Sequence, residues 1–234
     1  MRFRTPINHY LQASLVLTLA TCLLLLCWPR LRASFGYLPV DTSIAKHWSG
    51  EVIPDPQLRA LIARAGESLR RHEHYRYYDG LGTLHYLRGL DSALPAAERR
   101  AALAASATAT REVVALAPMK PLAWLRLAAA ESASGEHGEE TAAAFKMSAW
   151  TGRVEPTMML LRLELGFAHR RWLDAEGLRL LQDQTILSWN LQRMALINRF
   201  RSGAIDYSQV AALLARSHPD ILIEMDEALD PPVL

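Results

Sequence analysis

The residues best suited to chemistry lie in "RRHEHYRYYDGLGTLHYLRG", residues 70–89, which contains His72, Glu73, His74 and His85. Neutral imidazoles and a carboxylate are ligands that suit zinc or iron. Their spacing argues against a metal site, because on a helix His72 and His74 point about 200° apart, whereas ligands on one face are three or four positions apart. We therefore expect no metal here and assign these side chains to packing or to surface exposure.

The tyrosines and arginines of the same stretch allow a second interpretation. Tyrosine and arginine are favoured at binding hot spots, which predicts a partner-binding surface. The members of that surface are Tyr75, Arg76, Tyr77, Tyr86 and Arg88. The alternative is ordinary helix packing, in which Tyr78 belongs to the core and the arginines are solvated. Both interpretations stay open at the level of sequence.

The chain contains no Gly-rich phosphate loop, no G-x-S-x-G turn and no H-E-x-x-H pair. The acidic segment "SGEHGEE", residues 134–140, fits a turn in which Glu139 and Glu140 favour the start of the next helix. We therefore predict a protein that is not an enzyme and needs no cofactor. An enzyme of unrecognised type is the alternative.

The composition limits the class of protein. The 234 residues are 50% hydrophobic, which is enough to form a buried core. Without Arg2, Arg4 and Arg30 the chain has 23 basic against 24 acidic residues, and such a near-neutral body lacks the basic surface of a nucleic-acid binder. Both cysteines, Cys22 and Cys27, precede residue 31, so the body can form neither a disulfide nor a thiolate metal site.

Residues 11–28, "LQASLVLTLATCLLLLCW", form an uncharged run of eighteen residues. At about 1.5 Å per residue this run is about 27 Å long as a helix and nearly matches a bilayer core. Tyr10 and Trp28 stand at its two ends, where amphipathic rings favour the interface, and Arg30 and Arg32 follow. We predict a short tail over 1–10 and an uncleaved transmembrane helix over 11–28, with cleavage or lipidation as alternatives.

The charges that flank this run are balanced, with Arg2 and Arg4 before it and Arg30 and Arg32 after it. His9 and the free amino group add positive charge to the N-terminal side, and the more positive side of a span faces the cytoplasm. This predicts a bacterial inner-membrane protein whose body faces the periplasm.

The body should be all α-helix. Residues 29–56 mix glycine, proline and turn formers and predict a linker with at most one short helix, whereas residues 57–234 lack alternating strand patterns. Apolar stripes and proline breaks predict helices near 58–69, 75–90, 92–117, 121–132, 139–150, 156–169, 173–182, 186–201, 207–216 and 219–229. Short connections between such helices predict antiparallel neighbours.

Two proline breaks reveal an internal repeat, because "PMKPLAWLRLAAAE" from Pro118 aligns with "PTMMLLRLELGFAH" from Pro156, 38 residues later. The stretch that holds Tyr78 fits the same pattern. The repeated packing positions are Tyr78, Leu81, Gly82, Trp124, Leu127, Ala128, Leu165 and Gly166. This pattern resembles the tetratricopeptide repeat, whose first helix carries W-x-x-L-G-x-x-Y. The resemblance covers about residues 72–182 and implies an α-solenoid whose small residues allow close helix contact.

The resemblance implies a scaffold or adaptor that binds protein partners, with residues 11–28 confining it to the membrane. In overall layout the chain also looks like the anchored repeat proteins of bacterial exopolysaccharide and envelope-assembly systems. The alternative is a structural accessory subunit that packs its membrane helix into an enzyme or transport complex. Ser14, Thr18, Thr21 and Cys22 offer small or polar side chains for such packing.

Overall fold

A computed structural model describes residues 6–135 and 138–229, with side chains described from Tyr10 onward. These residues form helices and no strand, which confirms the all-α prediction. The helices are α1 Pro6–Trp48, α2 Asp55–Arg71, α3 Tyr75–Leu90, α4 Ala96–Leu116, α5 Pro121–Ser134, α6 Gly138–Thr151, α7 Pro156–Ala168, α8 Ala175–Arg201, α9 Tyr207–Leu214 and α10 Pro219–Leu229. Glu136 and His137 of the predicted acidic turn, and residues 1–5 of the predicted tail, lie outside the described residues.

The helices form two compact units, Met1–Leu84 and His85–Leu234, with the boundary inside α3. We call them the N-terminal unit and the C-terminal unit. Helix α1 is long and apolar enough to cross a membrane, since it contains an 18-residue stretch of mean hydropathy 2.0, none of it buried in the protein. All side chains described from Tyr10 to Arg32 are exposed.

The linker predicted over 29–56 is wrong for most of its length, because α1 continues through Pro29 and Pro39 to Trp48. Each internal proline removes one backbone hydrogen bond, which favours a break on local grounds. Tertiary packing compensates, since α1 packs along α2 and buries one face of its second half. The buried residues of that face are Ala33, Tyr37 and Val40, and α2 contributes Leu58, Leu61 and Ala65.

In the C-terminal unit each helix from α4 to α8 packs against the next one along the chain. Alanines and small hydroxyl residues line the α4 and α5 contact, so the backbones can approach closely. The larger core lies between α6, α7 and α8 and the last two helices, around Trp189 and Phe145. Pro121, Pro156 and Pro219 begin α5, α7 and α10, as the proline breaks predicted.

The helices predicted over 173–182 and 186–201 form one element, α8, and the predicted break between them is wrong. Thr185 lies at that break, and its hydroxyl donates to the Leu181 carbonyl at 2.8 Å within the helix. The helix bends later, at Gln192, whose φ of −140° and ψ of 37° are not helical. The helix continues through Thr185 because buried hydroxyls can bond to the preceding helical turn.

Candidate functional site

The histidines of the opening stretch lie in a geometry that differs from the helical one expected for them. Residues 72–74 connect α2 to α3 and are not helical. The rings of His72 and His74 therefore stack, with centroids 6.2 Å apart, instead of pointing to opposite sides. Glu73 accepts a hydrogen bond from the Tyr78 hydroxyl at 3.2 Å. Among the described residues no three His, Cys, Asp or Glu side chains come together as metal ligands.

The two neighbouring tyrosines, Tyr77 and Tyr78, differ in burial. Tyr77, predicted on a partner-binding surface, is 4% exposed and packs its ring against Tyr37, with centroids 4.7 Å apart. Tyr78, predicted in the core, is half-buried. The prediction for Tyr77 is wrong because the partner that covers it, α1, continues past residue 28, where the sequence suggested a linker.

The two other partner-binding candidates of the N-terminal unit lie at its surface. Arg76 is exposed and forms an ion pair with Asp41 of α1. Tyr75 is half-buried, and its ring lies 4.6 Å from the His74 ring, measured between centroids. These contacts use both side chains within the unit, so their role toward a partner stays a prediction.

The remaining candidates belong to the C-terminal unit. Arg88 forms an ion pair with Glu98 at 2.6 Å. Burial raises the pKa of the half-buried Tyr86 hydroxyl. The pKa of His85 is lowered by burial first and by the nearby Arg88 charge second, so this imidazole is neutral at pH 7. A neutral, half-buried His85 fits packing, as expected from the sequence.

Most of the predicted repeat-packing residues are buried. Leu127, Ala128, Leu165 and Gly166 are buried in the C-terminal unit, and Gly82 is buried in the N-terminal unit. Leu81 and Trp124 are half-buried.

Gly166 shows why a small residue is needed at its position. A methyl group on Gly166 would meet Leu181 Cδ1 of α8 at 2.6 Å and Phe145 Cε2 of α6 at 3.1 Å. The repeat pattern also missed Gly80, at which a methyl group would collide with the Tyr37 hydroxyl. The absence of a side chain at Gly80 of α3 therefore leaves room for Tyr37 of α1.

Sequence reasoning missed the role of Arg162, a fully buried arginine of α7. Its guanidinium donates to the Ser148 carbonyl at 2.7 Å, the Gly152 carbonyl at 2.8 Å and the Gln184 side-chain oxygen at 3.1 Å. Burial lowers the pKa of Arg162 to about 10, with the Glu155 charge opposing that shift. The side chain stays protonated at pH 7 and joins the end of α6 to α7 and α8.

His169, at the end of α7, is the second imidazole of the C-terminal unit with an altered environment. Its Nε2 lies 2.8 Å from the Ser132 hydroxyl of α5. Burial first and the Arg171 charge second lower the pKa of His169. Protonation of this imidazole is therefore unfavourable in the folded protein.

An exposed apolar surface runs along one end of the C-terminal unit, and we call it the apolar edge. It combines the turn between α4 and α5, the turn between α6 and α7, and the bend in α8. Its large hydrophobic residues are Leu116, Met119, Leu122, Trp150, Val154, Leu191 and Met194, all exposed. Met119 and Trp150 are 73% and 60% exposed, which is far from the burial that such side chains prefer.

Hydrogen bonds hold the three parts of the apolar edge together. The Ser148 hydroxyl donates to the Pro121 carbonyl at 2.9 Å, which joins α6 to the start of α5. The Gln184 amide donates to the Arg153 carbonyl at 2.9 Å, and the Gln192 amide donates to the Pro156 carbonyl. These bonds link α8 to the α6 and α7 turn. The exposed hydrophobic residues therefore lie on parts of the chain that hydrogen bonds join to one another.

Scattered apolar side chains are normal on soluble proteins, but a contiguous exposed patch marks an interaction site. The charged pair Arg153 and Asp183, bonded at 2.9 Å, borders the apolar edge. An apolar centre with a charged border is the usual anatomy of a protein interface. Large hydrophobic residues at turn positions, such as Met119 and Val154, were the signal in the sequence that could have located this surface.

Two threonine hydroxyls in the apolar run of α1 are satisfied within the helix. The Thr18 hydroxyl donates to the Ser14 carbonyl at 2.9 Å, and the Thr21 hydroxyl donates to the Leu17 carbonyl at 2.8 Å. These two hydroxyls therefore need no partner on a second membrane helix.

Comparison with protein-family models, with curated proteins and with solved structures finds no match for this chain.

Proposed function

We propose that the protein is a membrane-anchored scaffold that binds protein partners through the apolar edge. The exposed large hydrophobic residues of the apolar edge carry this proposal, because water contact with several such side chains is unfavourable unless a partner covers them. Trp150 supplies a residue type favoured at hot spots, and methionines adapt to partner surfaces.

The anchor in this proposal is the apolar part of α1, which spans the bacterial inner membrane once. Its support is the exposed, uncharged run from Leu11 to Trp28 at the start of a continuous helix. The balance of flanking charge favours a cytoplasmic N-terminus and a body in the periplasm. Anchoring raises the effective concentration of the apolar edge around a membrane complex.

The body in this proposal contains an array of antiparallel helix pairs similar to the tetratricopeptide repeat, formed in the C-terminal unit by α4 to α8. The sequential packing from α4 to α8 supports it. So do two buried arginines with equivalent roles, since Arg126 Nε donates to the Thr110 hydroxyl at 3.1 Å and Arg162 Nε donates to the Ser148 hydroxyl at 3.0 Å. Each arginine links a helix to the one before it. The layout of an anchor plus such an array suggests a role in exopolysaccharide or cell-envelope biogenesis.

The test is site-specific photocrosslinking in intact cells, with a photoreactive residue in place of Met119 or Trp150. Glu139 is the matched control, since it is exposed at the other end of α6 from Trp150. We expect one discrete protein adduct from both edge positions, absent from Glu139 and lost when Met194→Glu places a charge on the edge. Equal capture from Glu139, or adducts with lipid alone, would contradict a protein-binding edge.

The accessory-subunit alternative places the essential contact in the membrane helix instead. The hydroxyls of Thr18 and Thr21 bond within that helix and need no neighbour, which favours the scaffold. Replacement of residues 11–28 by an unrelated membrane helix distinguishes the two. A scaffold keeps its edge-dependent adduct after the exchange, and an accessory subunit loses its complex.

A further inference from the structure

A pocket of about 190 Å³ lies in the N-terminal unit, where α1 meets the segment from α2 into α3. It is smaller than the roughly 300–1,000 Å³ typical of sites for drug-sized ligands. Its polar lining consists of Arg30, Ser34, Asp41, His72, His74 and Arg76. The volume and the lining suit a small polar group.

The pocket begins where the apolar run of α1 ends. Arg30 lies two residues beyond Trp28 on the same continuous helix, about 3 Å further along the axis. In a membrane-spanning α1 this places the Arg30 guanidinium at the level of the lipid headgroups. The pocket therefore opens at the depth where lipid phosphates lie.

The charges of the pocket favour an anion. Asp41 contributes one negative charge and forms an ion pair with Arg76, whereas Arg30 has no carboxylate partner among the described residues. The Nδ1 of His74 accepts the backbone N–H of Arg76 at 3.2 Å, which leaves Nε2 as the donor of this ring. Guanidinium and imidazole donors beside a net positive charge form charge-assisted hydrogen bonds to phosphate.

The walls of the pocket are fixed before any ligand arrives. The Ser34 and Tyr77 hydroxyls lie 3.0 Å apart, and the Tyr37 hydroxyl donates to the Arg76 carbonyl at 2.9 Å. These bonds hold α1 against the start of α3 on both sides of the pocket. A pocket wall that is held in advance loses little conformational entropy when a ligand binds.

We propose that this pocket binds the phosphate of an anionic phospholipid headgroup. The inference rests on the membrane anchoring in the proposed function and adds a specific lipid contact to it. Arg30 is the principal phosphate ligand, and His72 and His74 border the bound group. The lipid acyl chains lie along the exposed apolar face of α1, which favours a lipid over free phosphate.

The test uses the full-length protein in a non-ionic detergent, where no charged bilayer surface attracts arginines in general. Native mass spectrometry measures the retention of phosphatidylglycerol and of phosphatidylcholine with the same acyl chains. We expect phosphatidylglycerol to bind about fivefold more tightly, and Arg30→Gln to weaken it about fivefold. Arg32→Gln is the matched control, because Arg32 is exposed on α1 outside the pocket lining, and we expect less than about a twofold effect.

A second variant tests the opposite direction. Asp41→Asn removes the negative charge from the pocket and releases Arg76, so we expect tighter binding of phosphatidylglycerol. Equal affinity for the two lipids, or equal effects of the Arg30 and Arg32 variants, would overturn the site. Displacement of the lipid by about 10 mM inorganic phosphate would overturn the assignment to a lipid. If no protein partner is crosslinked while lipid binding is still observed, the scaffold proposal is contradicted and the lipid site is not.

Discussion

Replacement of the buried Arg162 by methionine is the sharpest perturbation of the C-terminal unit. Methionine is unbranched and apolar, so it fills much of the volume that the arginine stem occupies. It removes the donors to the carbonyls of Ser148 and Gly152 and to the Gln184 side chain. The Ser148 carbonyl belongs to the last turn of α6, where backbone acceptors lack helical partners. The variant therefore leaves acceptors unsatisfied at the junction of three helices.

Two opposing terms set the size of the effect. Each buried acceptor that loses its partner costs about 1–3 kcal/mol, so three such acceptors give a loss of several kcal/mol. Removal of the guanidinium also removes the unfavourable burial of its charge, which offsets part of that loss. We expect a net decrease of about 3 kcal/mol in the free energy of unfolding, equivalent to a fall of about 6–12 °C in Tm for a chain of this size.

Thermal unfolding of the full-length protein in detergent, followed by circular dichroism, measures this fall. Arg153→Met is the matched control, because Arg153 lies in the turn before α7 and forms an exposed ion pair with Asp183. Exposed ion pairs are screened by water and contribute little to stability, so the Tm of the control should stay close to that of the parent. Arg162→Lys should be intermediate, since one ammonium cannot reach all three acceptors. An Arg162→Met variant as stable as the control would refute the reasoning.

Two further predictions concern the C-terminal unit and a matched glycine. Gly166→Ala should destabilise the protein by about 1–3 kcal/mol in urea unfolding, because its methyl group meets Leu181 at 2.6 Å. Gly66→Ala should instead stabilise it by up to about 1 kcal/mol, since its methyl group meets only the end of a flexible arginine at 3.8 Å; equal effects would contradict the packing argument. Burial lowers the pKa values of His85 and His169 below their ordinary 6.5, so the unfolded chain takes up more protons and stability falls as pH drops below that value. A variant with both His85 and His169 replaced by glutamine should lose less stability than the parent between about pH 7.5 and pH 5.5, the range in which ordinary histidines titrate. An unchanged pH profile would contradict the lowered pKa values of these two histidines.

The helices of the body could be predicted because their start signals are local. Pro121 and Pro156 occupy first helical positions, where a missing N–H costs nothing, and the structure begins helices at both. Pro29 and Pro39 misled the same reasoning, because their helix is held by contacts with α2 that no local pattern contains. The length of α1 therefore depends on non-local packing, whereas the first residues of α5 and α7 are determined by local chemistry.

Tyr77 was assigned to the surface because the sequence predicted a linker where α1 continues. Tyr77 and Tyr78 are adjacent in sequence and equally suited to burial, so only the position of a neighbouring helix distinguishes them. Once α1 extends to Trp48, Tyr37 can cover Tyr77, and Tyr78 is left to contact Glu73. The apolar edge was missed for a related reason, since it combines residues from turns and from a helix bend that are distant in sequence.

Arg162 aligns with Trp124 in the predicted repeat, 38 residues later. Each of the two side chains donates an N–H to a backbone carbonyl in the turn before its own helix. Trp124 donates its indole N–H to the Pro118 carbonyl at 2.7 Å, in the turn before α5, and Arg162 donates to the Gly152 carbonyl at 2.8 Å, in the turn before α7. What the position requires is a long side chain with an N–H at its end, because the turn presents a carbonyl without a helical donor. Aromatic character at this position is therefore one solution to a backbone requirement, and a buried guanidinium is another.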